Sequence, residues 1–376
     1  MDVPMMSHPG LVRTLDTPEL GSTELARIFA VGTAVPETAY SQRDLIDRLG
    51  ITDPRVRSVY LNSAIERRFL TLPESGPDGI RAETTGELLA KHKAQGVSMG
   101  TRAVQECLKH IGAEPQDIGY LCCVTSTGFL TPGFSALLMP QLEMGRNTSR
   151  VDVVGMGCNA GLNSLNVVSG WARSHPGELA VMVCIEACSA AYVFDGTMRT
   201  SVVNSLFGDG SAAIALVAGT TPDTHTDQRP APRIVDFTSC VITEAMQAMR
   251  YEWDTAKNAF SFYLDPDIPY VVGRHARSTV DRLLARAGLR QDDIAHWLVH
   301  SGGKKVIDAV GVNLGLTRYD LRHTVGVLRD YGNLSSGSFL FSYERLLAEG
   351  TIRPGEYGVF MTMGPGSTIE TALVRW

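Results

Sequence analysis

The chain has 376 residues, 44% hydrophobic and 20% charged, an ordinary globular composition with length for two packed domains. A formal net charge of -6 leaves no broad basic field for nucleic acid. No apolar run reaches the ~18 residues of a membrane-spanning helix.

The opening "MDVPMMSHPGLVRTLDTPELG" lacks the basic and apolar regions of a secretory leader, so residues 1–23 read as an N-terminal extension of a cytoplasmic protein. Without secretion, the sequons at Asn147 and Asn333 carry no meaning. The 7 cysteines are odd in number and irregularly spaced, which argues against a disulfide framework. Cys184 and Cys188 have no partner at metal-ligand spacing, so no metal is expected.

The rest reads as α/β, built twice. In the first half, 24–219, apolar Val104, Cys107, Leu108 and Ile111 recur at helical spacing, and Gly112 ends that helix. A short acidic turn and a strand from Ile118 follow. Next comes "RVDVVGMGCNAGLNSLNVVSGWA": a strand, a glycine corner holding Cys158, and a helix with Leu162, Leu165, Val168 and Ala172 on its apolar face. A cysteine at a helix N-terminus meets free N–H groups and the positive end of the helix dipole, which favour a thiolate. Gly155 and Gly157 are expected to let a substrate approach closely. A buried structural cysteine at a tight helix contact is the competing reading. "GDGSAAIALV" closes the half as a turn and strand.

Residues 220–233, rich in Thr, Pro and Asp, read as a connecting loop. The second half, 234–376, then repeats the plan. Val280, Leu283, Leu284 and Ala287 form the helix face, Gly288 ends it, and Ile294 opens the strand. Thr279 to Ile294 aligns without a gap with Ala103 to Ile118, 176 residues earlier. The strand ending at His300 runs into Gly302 and Gly303, with a helix from about Lys304. A histidine at a strand's carboxyl end lies where α/β sheets bind ligands. Asn333 precedes another helix at nearly the place Cys158 holds in the first half, and its plain alternative is an N-cap. Pseudo-symmetry would bring Cys158, Asn333 and His300 together. That trio suits acyl transfer: a thiolate attacks a thioester, and imidazole and amide donors steady an oxyanion. A papain-type hydrolase also uses Cys, His and Asn, but its cysteine signature is absent and the duplicated plan is wrong for it.

The order Cys158, Phe207, His300, Asn333, with "LFGDGSAAI", "HSGGKKVIDAV", "YGNLSSGSFLF" and "MGPGSTIETALV", resembles the type III polyketide synthases, the chalcone synthase-like family, from about Arg27 to Trp376. The resemblance implies a thiolase-like, duplicated αβαβα five-layer fold and a homodimer that uses malonyl-CoA directly. No cofactor is implied, because coenzyme A thioesters are the substrates. By the same resemblance Cys158 is the acylated nucleophile, and His300 and Asn333 drive malonyl-CoA decarboxylation. Phe207 and Phe262 match gatekeeping aromatics at the cavity. Cys188, Ala191, Ser335 and Met363 stand at cavity positions, several with bulk unlike the plant members, and Thr131 stands where the family commonly has a residue that reaches the partner subunit's cavity. Arg55 fits a CoA-gripping cation, and Lys304 and Lys305 are candidates for CoA phosphates, with solvated lysines at a helix start as the alternative. Likeness to bacterial members implies an eight-carbon dihydroxyaryl thioester made from four malonyl units for a peptide antibiotic. Helper enzymes of the enoyl-CoA hydratase type would be natural partners. The alternatives are a naphthalene-forming relative, a carrier-protein-dependent β-ketoacyl synthase and a non-catalytic scaffold.

Overall fold

A computed structural model describes residues 25–76, 79–219, 231–255 and 259–376. The N-terminal extension and most of the connecting loop lie outside the described residues. The first half contains β1 (Arg27–Ala34), α1 (Thr85–Ile111), β2 (Ile118–Thr125), β3 (Ser149–Val154), α2 (Ala160–Ser174), β4 (Leu179–Glu186), α3 (Met198–Leu206) and β5 (Gly210–Val217). The second contains β6 (Arg233–Val241), α4 (Ile268–Arg286), β7 (Ile294–Val299), α5 (Lys304–Leu314), α6 (Arg322–Tyr331), α7 (Ser338–Glu349), β8 (Tyr357–Gly364) and β9 (Thr368–Arg375).

Both halves use one strand plan. The first runs β1-β5-β4-β2-β3 and the second β6-β9-β8-β7. In each, the equivalent inner pairs, β2 with β4 and β7 with β8, are parallel. The pairs β1–β5, β4–β5, β6–β9 and β8–β9 are antiparallel. A single pairing of Arg27 with Arg233 joins the two sheets edge to edge.

The layering follows from alternation along fully buried strands. In β4, Ala180, Met182 and Cys184 face the inner core, while Val181, Val183 and Ile185 face α1. The inner core is shared: Leu162 and Leu165 of α2 and Phe339 and Leu340 of α7 pack with residues of both sheets. Met99, Ala103 and Cys107 of α1 cover one outer face, and Val272, Ala276 and Val280 of α4 cover the other. This is the αβαβα arrangement. The ends of α1 are fixed locally, by a Thr84–Glu87 capping box and by Gly112 in the left-handed conformation.

Candidate active site

The two inner helices are each preceded by a one-turn helix, Gly157–Asn159 before α2 and Ser335–Gly337 before α7. Measured from the helix starts at Ala160 and Ser338, the counterpart of Cys158 is therefore Ser336, and Asn333 stands three residues earlier. Glycines at the Cys158 corner also have a use beyond the expected one. A Cβ on Gly157 would lie 2.3 Å from Pro365, and one on Gly161 2.2 Å from the Ser336 carbonyl. Gly157 and Gly161 thus let the two halves close on each other, Gly157 also lines the cavity beside Cys158, and a Cβ on Gly155 would meet nothing within 4 Å.

Closure brings Cys158, Ser335 and Asn333 together. The Ser335 hydroxyl donates to Cys158 Sγ at 3.4 Å. Ser335 holds a left-handed backbone (φ 47°), a costly conformation for a residue with a side chain. Its N–H donates to Asn333 Oδ1 at 2.8 Å, so Asn333 braces this turn and does not cap α7. The Asn333 amide lies near enough to the sulfur to favour its anion slightly.

The expected thiolate is not what this geometry favours. Burial pushes the Cys158 thiol up to about 12, and the Glu186 carboxylate adds to the rise. The Ser335 hydroxyl, the cysteine's own N–H and the Asn333 amide act the other way without reversing it. Desolvation of the anion outweighs the donors that the sequence reading relied on.

His300 ends β7, its N–H donating to the Met361 carbonyl at 2.8 Å. The Ser301 hydroxyl reaches the Gly332 carbonyl at 3.4 Å, which ties this strand end to the Asn333 turn. The imidazole lies over Gly302, where a Cβ would come within 2.9 Å of its ring. Its Nδ1 is buried without a partner, and burial depresses its pKa to about 3. Among the described residues no hydrogen bond joins His300 to Cys158. Burial thus favours the neutral form of both groups over a standing ion pair.

Cys158 opens into a tight cavity with room for about a water or two. Its walls include Ser335, Cys188, Ala191, Phe207 and Phe262, all anticipated from the sequence. The rings of Phe207 and Phe262 meet edge to face, 5.8 Å apart. Met363 is a correction. It lies on the outward face of β8, packed with Met361, Ile369 and Leu373, and Pro365 reaches the cavity instead. Strand parity is the reason: Phe360 points inward, so Met361 and Met363 point out. Gly302 and Gly303 shape the His300 turn and are not walls; Gly303, at φ 130°, precedes α5. Arg55, Lys304 and Lys305 are exposed and outside the cavity, and Thr131, expected at the partner subunit's cavity, is exposed on this chain. Lys304 is paired with Asp308 at 2.6 Å.

Four participants escaped the sequence reading: Ser126, Glu186, Tyr251 and Arg68. Glu186 had a visible signal, a lone carboxylate at the carboxyl end of the apolar strand "LAVMVCIE". It is fully buried and accepts from the Ser126 N–H at 3.0 Å, the Ser126 hydroxyl at 2.9 Å and the Ser336 hydroxyl. The Ser126 and Ser335 hydroxyls are 2.7 Å apart. A chain of hydroxyls thus links Glu186 to the sulfur.

Burial raises the Glu186 pKa to about 7, against the pull of these donors. Between pH ~4.5 and ~7 the unfolded chain releases this proton while the folded one keeps it, so rising pH costs stability in that window. Glu186→Gln removes the effect. Its stability relative to the parent is expected to improve by up to about 3 kcal/mol from pH 5 to 8, read by urea unfolding at both values.

Two family models match the chain. "Chalcone and stilbene synthases, C-terminal domain" covers residues 243–376, and "FAE1/Type III polyketide synthase-like protein" covers residues 51–288. The chain belongs to the type III polyketide synthase family. These acyl-transferring enzymes include curated relatives at high identity over nearly the whole chain. A 3,5-dihydroxyphenylacetyl-CoA synthase from Amycolatopsis orientalis is 63% identical, with 100% of both chains covered. One from Streptomyces toyocaensis is 62% identical, covering 99% of this chain and 97% of the relative. A 1,3,6,8-tetrahydroxynaphthalene synthase from Streptomyces peucetius subsp. caesius is 30% identical, covering 93% of each. The fold of this type III polyketide synthase matches PKS-I of the brown alga Ectocarpus siliculosus (TM-score 0.84, 24% identity, 93% and 98% coverage). It also matches 1,3,6,8-tetrahydroxynaphthalene synthase of Streptomyces coelicolor A3(2) (TM-score 0.83, 24% identity, 93% and 99% coverage).

Proposed function

We propose that this type III polyketide synthase condenses four malonyl-CoA units on Cys158 and closes the chain to 3,5-dihydroxyphenylacetyl-CoA. The observation that carries the reading is the convergence of Cys158, Ser335 and Asn333 at one tight cavity, in a chain 62–63% identical to synthases of that name. In this reading the neutral His300 takes the thiol proton as sulfur attacks the thioester, so no standing ion pair is needed. Loss of CO₂ from malonyl-CoA leaves its electron pair on the α-carbon and charge on the thioester oxygen. The Asn333 amide and His300 N–H are the donors that bear this charge. The carbanion then attacks the Cys158 thioester, forming a C–C bond and releasing sulfur.

The site uses no metal or organic cofactor in this mechanism. The proposed assembly is a homodimer. The edge strand β3, with Val154 41% exposed, and the loop with Phe129 70% exposed offer apolar surface for it. Among the described residues no helix is long and apolar enough to cross a membrane, which is consistent with a cytoplasmic enzyme. Helper enzymes of the enoyl-CoA hydratase type and a role in peptide antibiotic biosynthesis belong to the same proposal.

The deciding experiment supplies purified protein with labelled malonyl-CoA alone and follows thioester products by mass spectrometry. An eight-carbon dihydroxyaryl thioester, or its acid, is the expected result. A ten-carbon naphthalene would place the chain with the tetrahydroxynaphthalene synthases, and dependence on a carrier protein would overturn the malonyl-CoA reading.

A further inference from the structure

The cavity hydroxyls are almost all committed. Ser126 is held by Glu186, and Ser335 by Cys158 and Ser126. The Thr127 hydroxyl lies 3.2 Å from His92 Nδ1 and accepts from the Ala187 N–H at 3.1 Å. The Tyr192 hydroxyl donates to the Phe207 carbonyl. Tyr251 is the exception: it lines the same cavity, yet its phenol has no hydrogen-bond partner among the described residues.

Its placement is well defined. Tyr251 lies on the hairpin Met249–Asp254/Ala259–Leu264, directly opposite Phe262, with ring centroids 5.0 Å apart. Tyr251, Phe262 and Phe207 therefore form one aromatic wall. The residue is 40% exposed and lines the same cavity as Cys158 and Cys188, near enough to Cys188, Glu186 and Cys158 to feel their charge. Their negative forms, and above all burial, raise its pKa, so the phenol keeps its proton at neutral pH. A cavity-lining phenol with no protein partner is free to donate to a substrate oxygen.

We propose that Tyr251 is a catalytic residue of ring closure, donating a hydrogen bond and then its proton to the ketone that the chain attacks within itself. This rests on the reading that the cavity grows and cyclises a poly-β-ketone thioester. Such a chain holds its β-diketone units partly as enols. The enol carbon attacks the ketone carbon, forming the ring C–C bond, and the ketone π bond opens to oxygen. That oxygen takes the Tyr251 proton. The enol oxygen becomes a carbonyl and returns its proton to the phenolate. Tyr251 ends as it began, and no external acid, base or oxidant is consumed. The Phe207 and Phe262 rings hold the chain while the phenol selects which oxygen is activated.

Tyr251→Phe keeps the ring and deletes only the donor. Loss of one such donor is expected to lower the ring-closed aryl product by about 100-fold. CO₂ release from malonyl-CoA should stay within about twofold of the parent, and lactones and linear acids should take up the difference. Tyr251→His, which restores an N–H donor, should recover part of the aryl product. An unchanged ratio of aryl to total product in Tyr251→Phe overturns the proposal. So does a fall in CO₂ release that tracks the fall in aryl product, since that marks a role in binding or shape. The parent enzyme runs alongside. If it makes no aryl thioester, the functional reading itself has failed, and this is seen separately from the behaviour of the variant.

Discussion

Cys158→Ala is expected to abolish elongated products from malonyl-CoA, by about 1,000-fold or more, while CO₂ release continues. The two outcomes separate because the roles sit on different residues. Alanine removes the atom that carries the chain, yet leaves the Asn333 turn and the His300 strand end, each fixed by its own backbone bonds. Cys158→Ser is the stricter test. Serine is small enough for the corner, but its hydroxyl is a far weaker acid than even a raised thiol, so His300 takes its proton far less readily. Serine is therefore expected to fail almost as completely as alanine. Intact-protein mass spectrometry checks this directly: the parent gains acyl mass on incubation with malonyl-CoA and neither variant does. Elongation at the parental rate by the serine variant would remove the nucleophile assignment.

Arg68→Ala is expected to cost about 3–5 kcal/mol of stability, the largest loss among the substitutions considered. Arg68 is fully buried and, among the described residues, pairs with no carboxylate. Its guanidinium donates to the Tyr192 hydroxyl (2.9 Å), the Asn204 and Phe207 carbonyls (2.7 and 2.6 Å) and Gln42 Oε1 (2.8 Å). Truncation leaves these acceptors buried without that donor and opens a void beside Gly332 and Gly208. The peptide that carries Phe207 bridges to Asn333, so the same residue steadies the aromatic wall and the amide. Lysine keeps the charge but not the planar fork, and should recover only part of the loss. Urea titration reads the effect as a lower midpoint at unchanged slope.

These positions show what the sequence makes legible. The duplication was readable because its signals are local: helix periodicity, closing glycines and an acidic turn recur 176 residues apart, and the one-turn helices Pro115–Asp117 and Gln291–Asp293 keep that offset. Cys158, His300 and Asn333 were readable because strand ends and tight corners are local as well. Arg68, Ser126 and Tyr251 were not, since each becomes relevant only through partners far away in the chain. The charge state of Cys158 was misread for a related reason. A helix start is visible in a string of letters, but the depth at which it is buried is not, and here depth decides. Met363 was misplaced because the motif around it marks a turn, whereas its direction depends on strand parity.

The tightness of the cavity bears on how such an enzyme would count. With space for little more than a water or two beside the sulfur, few waters can reach a tethered intermediate, and reactive ketones are largely shielded from hydrolysis. Each added unit must then press the surrounding rings outward against their neighbours. Growth would halt where that yielding ends, so the final size would be a mechanical property of the enclosure, one that a single altered side chain could reset by a whole increment.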